Sequence, residues 1–141
     1  MKILLSLLML VFTLPSHAGQ FKKFGDLEVH YSSFASTFLT PEIASHYKIQ
    51  RSRYSALVNI AILDTSKKEK TAVKAQLTGI ARNVLGQQKK LNFREIKEGK
   101  SIYYLAEFKH ANDETFNFTI TIFSNGKKET LTFNQTFFVD K

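Results

Sequence analysis

Between Thr115 and Phe123 the chain alternates without a break, with Phe116, Phe118, Ile120 and Ile122 on one side and Thr115, Asn117, Thr119 and Thr121 on the other. A period of two belongs to an extended strand with one wet face, because successive side chains of pleated backbone point in opposite directions. Ser124, Asn125 and Gly126 follow, and Asn-Gly is the pair that tolerates the two positive φ angles of a primed hairpin turn. The return strand, Glu129 to Val139, carries Leu131, Phe133, Phe137 and Val139 on one side. A hairpin with a single phenylalanine-rich face needs a second apolar layer, which narrows the fold to a β-sandwich or a small barrel.

The remaining segments repeat the pattern. Phe24 to Phe34 turns Leu27, Val29 and Tyr31 inward and Asp26, Glu28 and His30 outward, after a frayed start at residues 19–23. Ala56, Leu57, Val58, Ile60, Ala61, Ile62 and Leu63 make a nearly continuous apolar run, the composition of a strand covered on both faces. Thr65 to Lys70 reads as a charged hairpin loop. Thr71 to Arg82 is a further strand in which Gly79 is expected to mark a bulge. Asn83 to Gln88 reads as a turn in which Asn83 and Gly86 suit positive φ. Lys89 to Lys97 and Ser101 to Lys109 are strands joined by Glu98, Gly99 and Lys100.

One helix interrupts them. Thr40 can accept from an early backbone N–H, Pro41 presets φ at the first helical position, and Glu42 faces the positive end of the dipole. Ile43, Ala44 and Tyr47 share a face by their spacing. The sum is an all-β, immunoglobulin- or fibronectin-like antiparallel β-sandwich of about seven strands with one short helix, a small barrel being the alternative.

Residues 1–18, MKILLSLLMLVFTLPSHA, combine Lys2, an apolar stretch and small residues at Ser16 and Ala18, the pattern of a secretory signal peptide cut after Ala18. The expected mature chain, residues 19–141, is a single β-sandwich domain with no transmembrane segment once the signal is cleaved. The chain contains no cysteine, which excludes disulfides, thiolate nucleophiles and cysteine zinc sites. The expected location is the periplasm.

Lysine and arginine outnumber acids 20 to 12, and the excess of the mature chain lies in residues 51–90. There Arg51, Arg53, Lys67, Lys68, Lys70, Lys74, Arg82, Lys89 and Lys90 face only Asp64 and Glu69. Such clustering attracts anions, although lysines on loops and edge strands also keep β-proteins from pairing edge to edge. The joint after the helix, Tyr47 to Tyr54, sets two guanidiniums two residues apart beside tyrosines. Arginine forks grip carboxylate or phosphate in bidentate fashion, and tyrosine offers flat amphipathic contact area. Tyr47, Arg51, Arg53 and Tyr54 are therefore candidate binding residues, with Arg82 and Asn83 as a second polar cluster. The competing reading pairs Arg51 or Arg53 with an internal acid such as Glu42.

Catalytic signals are thin. His30, His46 and His110 read as exposed and lack metal-binding spacing, and no nucleophile elbow, phosphate loop or dinucleotide fingerprint occurs. No catalytic residue, cofactor or metal is expected, and nucleic acid is excluded as a partner by export and the lack of a recognition motif. The functional expectation is a periplasmic, non-catalytic binding or accessory module recognising an anionic ligand or envelope protein. Two alternatives stand: a small hydrolase with carboxylates such as Glu95 or Glu107 gathered beside a histidine, and a structural subunit of an envelope complex.

The segments GDLEVHYSSFASTFLTPEIASHYKIQRSRYSALVNI, ARNVLGQ, LNFREIKEG, IYYLAEF and FNQTFFVD together resemble a family of small secreted proteins of Gram-negative bacteria, domain of unknown function 4426. The resemblance covers almost all of the mature chain. It implies a periplasmic, single-domain β-protein with no assigned activity, ligand or catalytic residue.

Overall fold

The computed structural model describes residues 20–139; the expected signal peptide lies outside them. Ten strands form: β1 (Gln20–Phe24), β2 (Leu27–Ala35), β3 (Ser55–Asp64), β4 (Thr71–Ala72), β5 (Gln76–Asn83), β6 (Gln88–Leu91), β7 (Arg94–Glu98), β8 (Ser101–Lys109), β9 (Glu114–Ser124) and β10 (Lys127–Phe137). They pair antiparallel into two sheets, β1-β2-β3-β8-β7 with β4 attached to β3, and β10-β9-β5-β6. The orders β2-β3-β8-β7 and β10-β9-β5 are those of the two sheets of an immunoglobulin-like sandwich, with β6 as an added strand beside β5.

The expected fold class is therefore the one adopted, with ten strands where the sequence predicts about seven. The difference arises where strands change partner. The expected strand 71–82 breaks into β4, in the first sheet, and β5, in the second; the expected strand 89–97 breaks into β6, in the second sheet, and β7, in the first. A strand crossing between layers keeps its alternation, so periodicity cannot reveal the corner. The third addition is β1, expected as a frayed end: Phe24 pairs with Leu27 across a two-residue turn, with Gly25 at φ 62°.

The main core joins both sheets. Val29, Val58, Ile60 and Ile62 from the first meet Phe116, Phe118, Ile120, Ile122 and Leu131 from the second, all at most 1% exposed. Gly79 marks no bulge, since its pairing with Ile120 continues the unbroken register on either side. A Cβ there would lie 3.0 Å from the Phe93 ring and 3.1 Å from Leu91, so a side chain would press on these neighbours, and glycine is favoured by packing and not by backbone conformation. The Asn125-Gly126 turn forms as predicted, at φ 50° and 73°.

A second, smaller core lies on the outer face of the first sheet. A single 3-10 turn (Ser36–Phe38) leads to helix α1 (Pro41–His46), capped by Thr40 Oγ1, which accepts from Ile43 N at 3.2 Å. Ala44 and Ile49 from this segment pack with Leu57 and Leu105, while Ile43 sits half exposed at the rim. Ser36 pins the segment down. Its fully buried hydroxyl donates to Ser52 O at 2.9 Å and accepts from Ser52 N at 2.9 Å. β3 is accordingly covered on both faces only near Leu57; beyond it Asn59, Ala61 and Leu63 are only partly buried.

Candidate functional site

The sandwich topology carries the segment 36–54, the 84–87 turn, the 110–113 loop and residues 138–139 to one end of the molecule. Four of the six candidate residues lie on segments of this end although the chain separates them by some thirty positions. Arg51, Arg53, Tyr54 and Arg82 are exposed. Arg51 Nη2 donates to Thr37 O at 3.1 Å, and the Arg53 guanidinium lies 6.0 Å from the centre of the Tyr54 ring. Arg51 and Arg82 form no ion pair among the described residues.

Asn83 belongs to the same end but faces inward, 6% exposed. Its Oδ1 accepts from Leu85 N at 3.1 Å and Gln87 N at 2.8 Å, and its Nδ2 donates to Gln87 Oε1 at 2.8 Å and Glu114 Oε2 at 3.0 Å. It organises the turn through this side chain; the positive φ falls on Gly86. Glu114 in turn accepts from Ala111 N at 2.8 Å, and His110 N donates to Tyr54 O at 2.8 Å. Backbone and carboxylate thus tie the loops of this end to one another. The carboxyl of Glu114 is held below the ordinary carboxylate range; burial opposes this and is outweighed by the bonds from Ala111 and Asn83 and by the nearby charges of Lys89 and His110.

His110 corrects a sequence expectation. It is buried, 4% exposed, with its ring 5.3 Å from that of Phe137 and Nδ1–H donating to Ala111 O at 2.8 Å. His46 is exposed as expected.

Tyr47 is the residue that does not join the others. Its hydroxyl donates to Glu98, which pushes the phenol's pKa up, and its carbonyl accepts from Arg94. It stands instead beside an open trough on the outer face of the first sheet. The larger part, about 430 Å³, is lined by His30, Ser32, Asn59, Lys70, Lys100 and Tyr103 among others. Asn59 and Tyr103 are shared with a smaller cavity of about 160 Å³, otherwise walled by apolar side chains and Tyr47. Asn59 Oδ1 is buried there with no hydrogen-bond partner. His30 and Lys70 stand out in the sequence by charge and chemistry alone, and the one sequence signal of the trough itself is Asn59, an amide interrupting an apolar run.

Beneath the rim of the trough, Glu28 is 4% exposed although alternation sets it on the outer face. His30 Nε2–H donates to its Oε1 at 2.6 Å, and Lys70 Nζ donates at 3.1 and 3.3 Å. Its carboxyl is held below the ordinary range, chiefly by the His30 bond and then by Lys70. A lowered folded-state pKa contributes stability that is present above the unfolded carboxylate's pKa and disappears as pH falls through the folded one. Acid titration of the melting temperature should therefore steepen below the ordinary carboxylate range, and Glu28→Gln should remove part of that slope. An unchanged slope would show that the triad adds nothing.

No helix among the described residues is long and apolar enough to cross a membrane. The architecture defines an immunoglobulin-like sandwich protein with a basic, aromatic end and a side trough. The chain belongs to the DUF4426 family, a domain of unknown function whose family model matches residues 21–140. No curated protein matches it. A DUF4426 family protein from Pseudomonas aeruginosa is similar in structure, with a TM-score of 0.77 and 35% identity over 90% of this chain and 100% of that one. FetP of uropathogenic Escherichia coli shares the fold at 9% identity, with a TM-score of 0.65 over 88% of this chain and 96% of that one. A copper-bound variant of FetP is also similar, at 10% identity and a TM-score of 0.58 over 88% and 92%. Among the described residues no group of three or more His, Cys, Asp or Glu is arranged to hold a metal ion.

Proposed function

We propose that this protein is a periplasmic, non-catalytic binding module that recognises an anionic envelope partner through the end bearing Arg51, Arg53, Tyr54 and Arg82. The observation that supports the reading is that these residues, remote in sequence, are all exposed on segments at one end of the sandwich. Had the guanidiniums been internal struts, Arg51 and Arg82 would meet carboxylates, and they meet none among the described residues. Asn83 is a scaffold for that end, and Tyr47 stands outside it. The leader-like residues 1–18 support export.

A crosslinked pull-down from periplasmic extract tests it. Arg51→Ala/Arg53→Ala should lose the captured partner at an unchanged melting temperature, whereas Lys67→Ala/Lys68→Ala, which removes equal charge from the opposite end, should keep it. If both variants capture the same partner, the basic end is not the interface.

The trough favours a second reading in which a small anionic ligand binds beside Lys100. Lys100 lines it and has no ion pair among the described residues, which leaves its ammonium available to an anion. Loss of ligand protection in Lys100→Glu would separate this site from the basic end.

A further inference from the structure

We infer that the anionic partner is a phospholipid bilayer and that the Val84–Leu85 tip enters it. This deepens the reading above and rests on it. Val84 and Leu85 are 81% and 80% exposed, values that a folded chain ordinarily reserves for polar loop residues. They are not alone. Phe38 at 78%, Phe138 at 60% and Tyr54 at 52% belong to segments of the same end, so the four most exposed large apolar side chains of the described residues share one pole of the sandwich, while Phe21 at 55% lies apart on edge strand β1. Isolated exposed hydrophobics are ordinary, whereas a cluster of them on one surface marks an interaction site.

The build of the tip selects the partner. A loop that enters a bilayer loses water from its backbone, and any bare N–H then becomes costly. Here three of the four donors from Val84 to Gln87 are already satisfied within the turn, Val84 N being the exception. Leu85 N and Gln87 N donate to Asn83 Oδ1, and Gly86 N donates to Asn83 O at 3.0 Å. The turn is closed by Asn83 N donating to Gln87 O at 3.0 Å and anchored to the next strand through Glu114. Val84 and Leu85 are thus presented on a pre-ordered turn that would give up little conformational freedom on insertion.

The flanking charge fits the same partner. Arg82 and Lys90 are exposed on the two strands leading into the tip, and Arg51 and Arg53 lie across the same end. Apolar anchors of this size hold weakly unless cations also meet anionic headgroups, so both signals should be needed. Tyr54, with the Arg53 guanidinium over its ring, has the amphipathic character found at the headgroup boundary. Among the described residues Asp113 and Glu42 are exposed acids of this end; they set a limit on affinity and favour a reversible contact.

The test uses the mature chain and co-sedimentation with phosphatidylglycerol–phosphatidylethanolamine vesicles, compared with phosphatidylcholine vesicles. Wild type should sediment with the anionic vesicles and much less with the neutral ones. Val84→Ser/Leu85→Ser should lower the partition about a hundred-fold, since each side chain loses most of its transfer free energy, and should leave the melting temperature unchanged because both residues are exposed. The chain has no tryptophan, so Leu85→Trp installs a single reporter, whose emission should shift to the blue and be quenched by brominated lipid. Absence of vesicle binding, equal binding by the serine variant, or a bound Leu85→Trp protein without a blue shift would each overturn insertion. If vesicle binding survives the serine variant yet is lost in Arg51→Ala/Arg53→Ala, the tip inference fails while the basic-end reading stands.

Discussion

Phe118→Ala should cost about 3–5 kcal/mol of stability, the range for removing a large aromatic from a closed core, and lower the melting temperature by roughly 10–20 °C for a domain of this length. Phe118 is fully buried. Its ring stacks on Phe133 at 4.7 Å and meets the edge or tilted face of Phe108 at 5.5 Å, Phe116 at 6.1 Å and Phe137 at 6.2 Å. Phe133 stacks in turn on Tyr31 of the opposite sheet at 4.7 Å. The ring therefore joins both layers through π contacts that add to its burial. Collapse around the vacancy is restricted, because β9 is paired on both sides, to β5 and β10. Urea unfolding of the variant with an unchanged m-value checks this. A loss below about 1 kcal/mol, typical of a surface change, would mean that the two sheets can close over the gap.

This part of the fold was legible because it obeys local rules. The inward set Phe116, Phe118, Ile120 and Ile122 and the Asn125-Gly126 turn are both written in consecutive residues. The helix start was legible for the same reason, since Thr40, Pro41 and Glu42 act within one turn. What periodicity could not supply is the partner of each strand. Lys90 and Glu95 fall in one alternating stretch, yet one belongs to β6 and the other to β7, in different sheets. Gly79 misled for a related reason: its role is set by Phe93 and Leu91, residues that reach it only once β6 lies beside β5.

At the candidate site the residue types were readable and their environments were not. The chemistry of Arg51, Arg53, Tyr54 and Arg82 marks them in the sequence, and the sandwich topology sets their segments at a common end. Asn83 carries the same chemical mark, but a short amide beside a tight turn serves the backbone as readily as a ligand, and here it serves the backbone. Glu28 and His110 show the converse. Both sit where alternation or loop position assigns water, and both are buried because Lys70 with His30 in one case, and Phe137 in the other, fold over them from distant positions.

Leu57→Ala isolates the part of the molecule that holds the basic end in place. Leu57 is fully buried on the outer face of β3, beneath Ala44 and Ile49 and beside Leu105 of the adjacent β8, while its neighbours Ala56 and Val58 belong to the main core. Truncation should cost about 2–4 kcal/mol, within the range for a buried leucine, because it enlarges the adjacent cavity of about 160 Å³ and six-residue α1 has no other large buried patch to grip. The loss should be local. Native-state hydrogen exchange should show the amide of Ile49, bonded to Ala44 O at 2.7 Å, losing protection well before amides of β9, since segments with few apolar contacts open on their own. Ile49 and β9 losing protection together would mean that the outer layer and the sandwich unfold as one unit. A selective loss would instead tie function to this small core, because Arg51 and Arg53 emerge directly from the segment that Leu57 anchors and would lose their fixed orientation with it.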